Sequence, residues 1–556
     1  MIFLASLIGT SRAAPAAEPA HGMNGMVASD QHLATQAGID VLKAGGNAVD
    51  AAVAVGYALA VTDPCCGNIG GGGFMLVRLR SGKATFIDFR EKAPLRATRT
   101  MYLDRAGNVV PGLSTRGYLA VGVPGTVAGL EYAREHYGTK ARADLLAPAI
   151  ALARDGYELQ AGDVALFDAG LKDFGRDPVA AGIFSHAGAP LRVGDRLRQA
   201  DLAQTLSAIA QDGPRAFYDG PIAQAVVAAG ARHGGILSLD DFAKYTVEES
   251  APVRCRYHGY DVISSPPPSS GGTTICEILG IVEPFDFAAG VFHSAASVHE
   301  LVEAERLAYV DRNTYLGDSA FVHNPLGALL SAGYAAKQRA RIPERAGVSK
   351  DTSAGLGPYQ EGQNTTHYSI VDRFGNAVAV TYTINDYFGA NLIAPDTGFF
   401  LNDEMDDFTS KPGTPNLYGL VQGEANAIAP GKRPLSSMSP TIALKDGRPA
   451  IVAGSPGGSR IITITLGLLQ NIIDYGMNVK DAVDAPRLHH QWLPDEISVE
   501  PGALDDATRA ALTAMGYTIT DHAEWGAAEA ITIDPRTREL FGANDRRRPA
   551  GSALGY

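Results

Sequence analysis

Residues 364–384 constrain the fold more than any other part of the chain, because their alternation predicts a β-hairpin. Residues 365–371 alternate as one strand, and residues 377–384 alternate as a second. The turn between them, residues 372–376, contains Gly and Asn, which adopt the positive φ angles that tight hairpin turns need. The two strands should therefore pair with each other, antiparallel, in one sheet.

The pairing of this hairpin brings two hydroxyl groups together. If Val371 pairs with Ala377, then Thr365 pairs with Thr383 at the open end of the hairpin. Asn385 follows the second threonine after one residue. The sequence thus predicts a compact polar group where the first strand begins.

Two interpretations of this threonine pair remain open at this point. Cross-strand threonine pairs are common in sheets and need no function. A threonine can also be a nucleophile when the chain is cut before it, because the new α-amine, with an ordinary pKa of about 7.7–8.0, is then a base on the same residue. On the second interpretation the chain is cut between Asn364 and Thr365, and Thr383 orients the Thr365 hydroxyl.

Composition excludes several classes of function. The 556 residues are 46% apolar and 19% charged, which is typical of a soluble protein with a large core. A net charge of −13 argues against nucleic-acid or anionic-membrane partners, since both select basic surfaces. Residues 51–61 are apolar on all sides but too short to cross a bilayer, so they predict a buried helix, and we predict no membrane span.

The N-terminus and the cysteines give weaker indications, of export and of disulfide pairing respectively. Residues 1–20 hold an apolar run followed by small residues, which predicts a secretory leader, with a short disordered tail as the alternative. Cys65 and Cys66 are adjacent and are not expected to pair with each other. A bridge between Cys255 and Cys276 is left open, because the spacings indicate neither a zinc site nor a disulfide framework.

Two other motifs favour structural roles. The glycine run at 70–73 lacks the Lys-Ser/Thr of a phosphate-binding loop, so we expect it to let backbone segments approach closely. His489 and His490 are adjacent, so their side chains point in different directions. No third potential ligand lies at the spacing of a known metal site, so packing is favoured over metal binding. Residues 120–345 are expected to be mostly amphipathic helices.

The hairpin resembles a known processing site. Asn364-Thr365-Thr366-His367-Tyr368-Ser369, followed by Thr381-Tyr382-Thr383-Ile384-Asn385, is similar to the start of the small subunit in the γ-glutamyltranspeptidases, which are N-terminal-nucleophile hydrolases. The resemblance extends from about Gly25 to the C-terminus and follows the bacterial periplasmic members. It implies an α+β fold, a four-layer αββα sandwich, with a large subunit (21–364) and a small subunit (365–556) forming one interlocked catalytic unit.

The resemblance also implies roles for individual residues, and each role suits the chemistry of its side chain. An arginine at a strand end can hold a carboxylate through two hydrogen bonds, acidic groups can hold an ammonium, and amides at a turn before a helix can hold an oxyanion. The implied α-carboxylate ligands are Arg90, Ser436 and Ser437; the α-ammonium ligands are Asn385, Glu404 and Asp407; the oxyanion donors are Gly457 and Gly458; and Tyr418 is the gate of a lid at residues 410–420.

The implied activity is transfer of a γ-glutamyl group from glutathione or another γ-glutamyl compound, through an ester on Thr365, to water, an amino acid or a dipeptide. Neither a metal nor an organic cofactor is expected, and the resemblance implies a periplasmic or secreted protein. Two alternatives remain: a glutaryl-type amidase like the cephalosporin acylases of the same fold, and an uncleaved binding protein. Glu404 and Asp407 argue against the first, because a glutaryl group carries no ammonium.

Overall fold

The computed structural model describes residues 18–349 and 365–556. Nearly all of the predicted leader, at 1–20, and Asn364 on the upstream side of the predicted cleavage point lie outside these residues. Both predictions therefore stay predictions.

The described parts of the chain form helices and strands throughout. The α-helices are α1 (His32–Lys43), α2 (Ala48–Thr62), α3 (Thr126–Tyr137), α4 (Arg142–Asp155), α5 (Ala161–Phe174), α6 (Pro178–Phe184), α7 (Ala200–Asp212), α8 (Pro214–Tyr218), α9 (Pro221–Arg232), α10 (Leu239–Ala243), α11 (Gly271–Val282), α12 (Ala295–Tyr315), α13 (Leu326–Leu329), α14 (Ala332–Arg339), α15 (Ile461–Ile473), α16 (Val479–Asp484) and α17 (Asp506–Met515). The strands are β1 (Ala20–Gly22), β2 (Gly25–Ser29), β3 (Gly72–Arg78), β4 (Ala84–Phe89), β5 (Tyr157–Glu158), β6 (Arg196–Leu197), β7 (Glu248–Ser250), β8 (Val253–Tyr257), β9 (Tyr260–Ser264), β10 (Thr366–Asp372), β11 (Ala377–Thr383), β12 (Thr441–Lys445), β13 (Arg448–Gly454), β14 (Leu488–His489), β15 (Ile497–Val499), β16 (Ile519–Asp521), β17 (Glu529–Ile533), β18 (Leu540–Asn544) and β19 (Ser552–Gly555).

Two large sheets form the centre of the molecule. Within the described residues each has seven strands, in the orders β19-β2-β10-β11-β3-β4-β7 and β1-β18-β17-β13-β12-β9-β8. Small apolar side chains, such as Ala379 and Val452, fill the space between the sheets. Helices α1 to α4 cover the outer face of the first sheet, and α11, α12 and α15 cover that of the second. The predicted four-layer αββα sandwich is confirmed.

The central hairpin has the predicted register. Strand β10 pairs with β11 from Thr366 opposite Tyr382 to Val371 opposite Ala377. Val371 packs between the two sheets, whereas Tyr368 packs against the helices on the outer face. Because side chains alternate along a strand, the odd-numbered positions of β10 face the second sheet.

Helix α2 and the glycine run bear out two further predictions. Every residue of α2 is buried, and Asn47 and Asp50 form a capping box at its start. A Cβ atom on Gly71 would lie 2.0 Å from the carbonyl oxygen of Thr383. The run therefore lets the chain pass directly against the hairpin. Among the described residues, we find no helix with the length and apolar character needed to span a membrane.

Residues 120–345 are mostly helical as predicted, with one clear departure, and the expectation for Cys65 and Cys66 was wrong. Residues 248–264 form β7, β8 and β9, where helices were expected; β9 pairs with β12, so a partner about 180 residues away in sequence decides its conformation. Cys65 and Cys66 form a disulfide with each other. Their backbone follows a tight turn in which the N–H groups of Cys66 and Gly67 both donate to the carbonyl of Asp63, and this turn places both sulfur atoms on one side.

The second cysteine pair, left open by the sequence, is also bonded. Cys255 of β8 is linked to Cys276 of α11, with 5.6 Å between the Cα atoms. The bridge ties an edge strand of the second sheet to the helix layer that covers it.

Candidate active site

The threonine pair lies where the hairpin alignment predicts. The Oγ1 atoms of Thr365 and Thr383 are 3.5 Å apart, and both side chains are buried. The N–H of Asn385 donates to Oγ1 of Thr383 at 2.9 Å, which fixes the orientation of that hydroxyl. Two hydroxyl groups are thus held together at the start of β10.

A buried charged group lies in the same pocket. Arg90 follows the end of β4, and its guanidinium contacts Oε1 of Glu404 through Nη1 and Oδ2 of Asp407 through Nη2, each at 2.5 Å. A third carboxylate, that of Glu91, lies 3.7 Å from Nη1. The acidic residues belong to a short 3-10 helix, Glu404–Asp407, whose single turn brings both onto the guanidinium.

The pKa values of this group reflect one guanidinium facing several buried carboxyl groups. Burial raises the pKa of Glu404 well above its usual range, and the positive charge of Arg90 opposes that rise. Burial likewise raises the pKa of Asp407 and brings that of Glu91 to about 7. Burial alone would lower the pKa of Arg90, but the charges of Glu404 and Asp407 outweigh it and raise that pKa. The excess of acidic groups favours a ligand that brings a cation.

The serine pair is held by a loop of the first part of the chain. The carbonyl of Ser436 accepts from both the N–H and the hydroxyl of Ser270, and its N–H donates to the carbonyl of Pro268. Oγ of Ser437 accepts from Nη2 of Arg312 at 3.3 Å. Burial lowers the pKa of Arg312 to about 10. Arg312 was not predicted from the sequence, in which it is one of many charged positions on a helix.

The predicted lid closes over the pocket through Tyr418. Its hydroxyl donates to the side-chain oxygen of Asn385 at 2.6 Å. Asn416, whose role the sequence did not indicate, donates to Oδ1 of Asp407 at 3.3 Å, while its own side-chain oxygen accepts from the N–H of Tyr418. The lid is therefore bonded to the same carboxylate that contacts Arg90.

The glycine pair lies at the entry to α15. Gly457 and Gly458 have φ angles of 142° and 55°, in the region that favours glycine. Tyr309 donates to the carbonyl of Ser459 at 2.8 Å and so fixes the turn. Gly458 lines the pocket with Thr365, whereas Gly457 lies against Ile464.

The fold thus gathers nearly all the sequence-predicted site residues around one pocket. Its lining comprises Arg90, Thr365, Thr383, Asn385, Glu404, Asp407, Tyr418, Ser436, Ser437, Met438, Gly458 and Ile461. Among the predicted residues Gly457 is outside this set. A nucleophile, a cationic and an anionic group, and amide donors at a turn are the elements of acyl transfer from an amino-acid-like substrate.

A group of potential metal ligands lies at the end of α2. Within the described residues, a carboxylate oxygen of Asp63 and the sulfur atoms of Cys65 and Cys66 lie within 4.8 Å of one another. The two sulfurs are bonded to each other, so they do not present thiolates. His489 and His490 have separate partners, Thr463 and Trp492, as the packing interpretation predicts.

A second acidic group lies next to β10. The hydroxyl of Thr366 donates to Oδ2 of Asp30 at 2.6 Å. Asp63 is buried close by, and burial raises its pKa from 3.8 to about 8 although the charge of Arg548 opposes the rise. Protons in this group are therefore linked to folding.

We predict that this linkage makes the folded protein less stable as the pH rises from about 4 to about 8. Because the folded-state pKa of Asp63 exceeds the unfolded one, the folded state keeps this proton up to about pH 8, whereas the unfolded state releases it above about pH 4. The free energy of unfolding should therefore fall by at most about 1.4 kcal/mol per pH unit across that range, and the melting temperature should fall with it. Asp63→Asn should flatten the profile in thermal melts; identical profiles for the two proteins would contradict the linkage.

Comparisons with known proteins agree with this geometry. A family model described as Gamma-glutamyltranspeptidase matches residues 34–555. The chain is 55% identical over 548 residues to the glutathione hydrolase proenzyme of Pseudomonas sp. (strain A14), covering 97% of this chain and 95% of that one. It is 49% identical to the glutathione hydrolase proenzyme of Escherichia coli (strain K12), covering 97% and 93%. A crystal structure of cephalosporin acylase from Bacillus halodurans superposes with a TM-score of 0.86 at 29% identity, covering 100% and 99%.

Proposed function

This chain belongs to the γ-glutamyltranspeptidase family, and from that premise we propose that it is a self-processing γ-glutamyl acyltransferase and glutathione hydrolase. One observation carries the proposal: Arg90, Glu404 and Asp407 form a buried charged group in the same pocket as the Thr365 hydroxyl. A γ-glutamyl group carries an α-ammonium and an α-carboxylate on one carbon. Neighbouring groups of both signs fit that substrate.

The donor is held at its α-carbon end. Asp407 and Glu404, with the amide of Asn385, bind the α-ammonium. Arg90 and the hydroxyls of Ser436 and Ser437 bind the α-carboxylate, and Arg312 supports Ser437 from behind. When the substrate binds, its α-carboxylate pairs with Arg90 and its α-ammonium with Glu404 and Asp407, replacing part of the pairing between Arg90 and these two acids. This grip places the γ-carbonyl at the other end of the substrate next to Thr365.

The reaction proceeds in two acyl-transfer steps. The α-amine of Thr365 removes the proton from its own hydroxyl, which Thr383 orients, and Oγ1 attacks the γ-carbonyl. The amides of Gly457 and Gly458 stabilise the oxyanion; losing one such donor typically costs about 2.7–4 kcal/mol. The amine product, cysteinylglycine in the case of glutathione, leaves with a proton. Water, an amino acid or a dipeptide then attacks the Thr365 ester.

The nucleophile is generated by cleavage of the precursor between Asn364 and Thr365. The large subunit, 21–364, and the small subunit, 365–556, stay associated because β10 lies between β2 of the large subunit and β11 of the small one. The apolar leader at 1–20 supports export, and we place the enzyme in the periplasm or outside the cell.

A glutaryl-type amidase is the second candidate, because the acylase structure shares the whole fold. The acids at 404 and 407 favour the γ-glutamyl enzyme, since a glutaryl group would leave both without an ammonium partner in a buried site. The two acids would then share the single cation of Arg90, and a buried charge that lacks one partner costs about 2–5 kcal/mol.

The discriminating experiment uses two anilides that differ only in the α-amino group. We expect kcat/KM for γ-glutamyl-p-nitroanilide to exceed that for glutaryl-p-nitroanilide by more than about 100-fold. Release of p-nitroaniline, followed by absorbance, measures both. Equal rates, or faster hydrolysis of the glutaryl compound, would replace the proposed function by the amidase.

A further inference from the structure

We infer that Gln491 is a positioning residue of the proposed γ-glutamyl transfer reaction, holding the lid at residues 410–420 closed over the donor pocket through the backbone of Tyr418. The inference rests on the proposed function for its kinetic readout. Gln491 does not line the donor pocket, and it lies in the segment that follows β14.

The contacts of Gln491 join the lid to the body of the enzyme. Its Nε2 donates to the carbonyl oxygen of Tyr418 at 3.2 Å and to that of Leu493 at 3.1 Å. The side chain is buried, with 3% of its surface exposed. The amide thus connects Tyr418, the gate residue of the lid, to the segment that follows β14.

The orientation of that amide sets the tautomer of a buried histidine. Oε1 of Gln491 lies 3.0 Å from Nε2 of His489 and can only accept, so His489 carries its hydrogen on Nε2. Nδ1 of His489 then accepts from the hydroxyl of Thr463 at 2.8 Å. Burial lowers the pKa of His489 well below 6.5, which keeps the ring in this neutral form.

These hydrogen bonds connect the lid residue Tyr418 to α15, the helix that follows the proposed oxyanion glycines. Thr463 lies in the first turn of α15, the helix that follows the turn containing the glycine pair at 457–458. At the other end, Tyr418 is held twice: its hydroxyl bonds to Asn385 inside the pocket, and its carbonyl bonds to Gln491 outside it. Tyr418 also packs in one apolar cluster with Trp492. Tyr418 is therefore held by hydrogen bonds on both sides, and Gln491 donates the one outside the pocket.

Removing the hydrogen bond from Gln491 to Tyr418 should destabilise the closed conformation of the lid without changing any group that contacts the reacting atoms. A closed lid uses the bond from Gln491 to Tyr418, and an open lid does not, so its loss shifts the balance towards open. For Gln491→Ala we expect the KM for γ-glutamyl-p-nitroanilide to rise about tenfold, the effect of one buried hydrogen bond, while kcat changes less than about twofold.

The matched control is Gln199→Ala. Gln199 is also buried and donates to a backbone carbonyl, that of Val61 at 2.7 Å, but its contact lies between α7 and α2, away from the pocket. Its KM should equal that of the wild type. Gln491→Glu provides a second variant, because it keeps the shape and the acceptor for His489 but loses the donors to the two carbonyls. It should show the same rise in KM.

A double-mutant cycle separates a lid role from a general structural one. Tyr418→Ala keeps the main-chain carbonyl that Gln491 contacts but removes the side chain that this contact positions. In that background, adding Gln491→Ala should therefore change KM by less than about twofold. The inference is overturned if KM is unchanged in both Gln491 variants, if their effects persist in full in the Tyr418→Ala background, or if neither variant yields a folded, processed enzyme. Failure of the proposed function is seen separately, as absence of γ-glutamyl turnover in the wild type.

Discussion

Replacing Thr365 with alanine is expected to leave one uncleaved chain with no measurable γ-glutamyl turnover. The substitution removes the hydroxyl that cuts the precursor and later accepts the acyl group, so both events are lost together. Loss of a covalent nucleophile typically reduces kcat by more than about 10⁴-fold. The fold should survive, because the neighbouring strands and the contact of Thr366 with Asp30 are unchanged.

Intact-mass measurement under denaturing conditions tests this expectation directly. The wild type should give two species, the smaller one beginning at Thr365, and Thr365→Ala should give one species of full length. Thr365→Ser keeps a hydroxyl and serves as the control, since it should still be cut, more slowly. A two-chain, active Thr365→Ala protein would disprove the assignment of the nucleophile.

Asp407→Asn should abolish most of the selection for an α-amino group. Asparagine keeps the shape and leaves Arg90 paired with Glu404, but it removes one of the charges proposed to hold the substrate ammonium. Removing one partner of a buried charge pair costs about 2–5 kcal/mol, so kcat/KM for γ-glutamyl-p-nitroanilide should fall at least about 30-fold. The rate of glutaryl-p-nitroanilide hydrolysis should change little, because that compound has no ammonium for Asp407 to bind.

A control for Asp407→Asn comes from another buried aspartate. Asp177 accepts from the backbone N–H groups of Val179, Ala180 and Ile393, and asparagine can replace it there without altering the pocket. Asp177→Asn should keep the wild-type preference for the γ-glutamyl compound. Equal losses for both anilides in Asp407→Asn would show that Asp407 supports the structure and does not read the α-ammonium.

Much of the site could be predicted from sequence, but by two different routes. The hairpin, its register and the Thr365–Thr383 pair follow from alternation and a short turn, which are local properties. The roles of Arg90, Asp407 and the serine pair came from the resemblance, because nothing in the local pattern indicates which carboxylate an arginine will meet. The nearest partners of Arg90 include Asp407, 317 residues later.

Sequence alone was enough to predict the hairpin and the buried α2, because alternation and apolar character are local properties. The glycine run indicated a close backbone approach, but not that Thr383 is its partner. Other features required the folded structure: β9 as a strand, the support of Ser437 by Arg312, and the contacts of Asn416 and Gln491 with the lid all depend on which distant segments pack together. The Cys65–Cys66 bond has a local cause, the tight turn that follows Asp63, which the sequence pattern did not indicate. Alternation shows which face of a strand is buried, and turn residues show where the chain reverses. Which distant segment packs against that face is decided only when the two sheets and their helices form a common core.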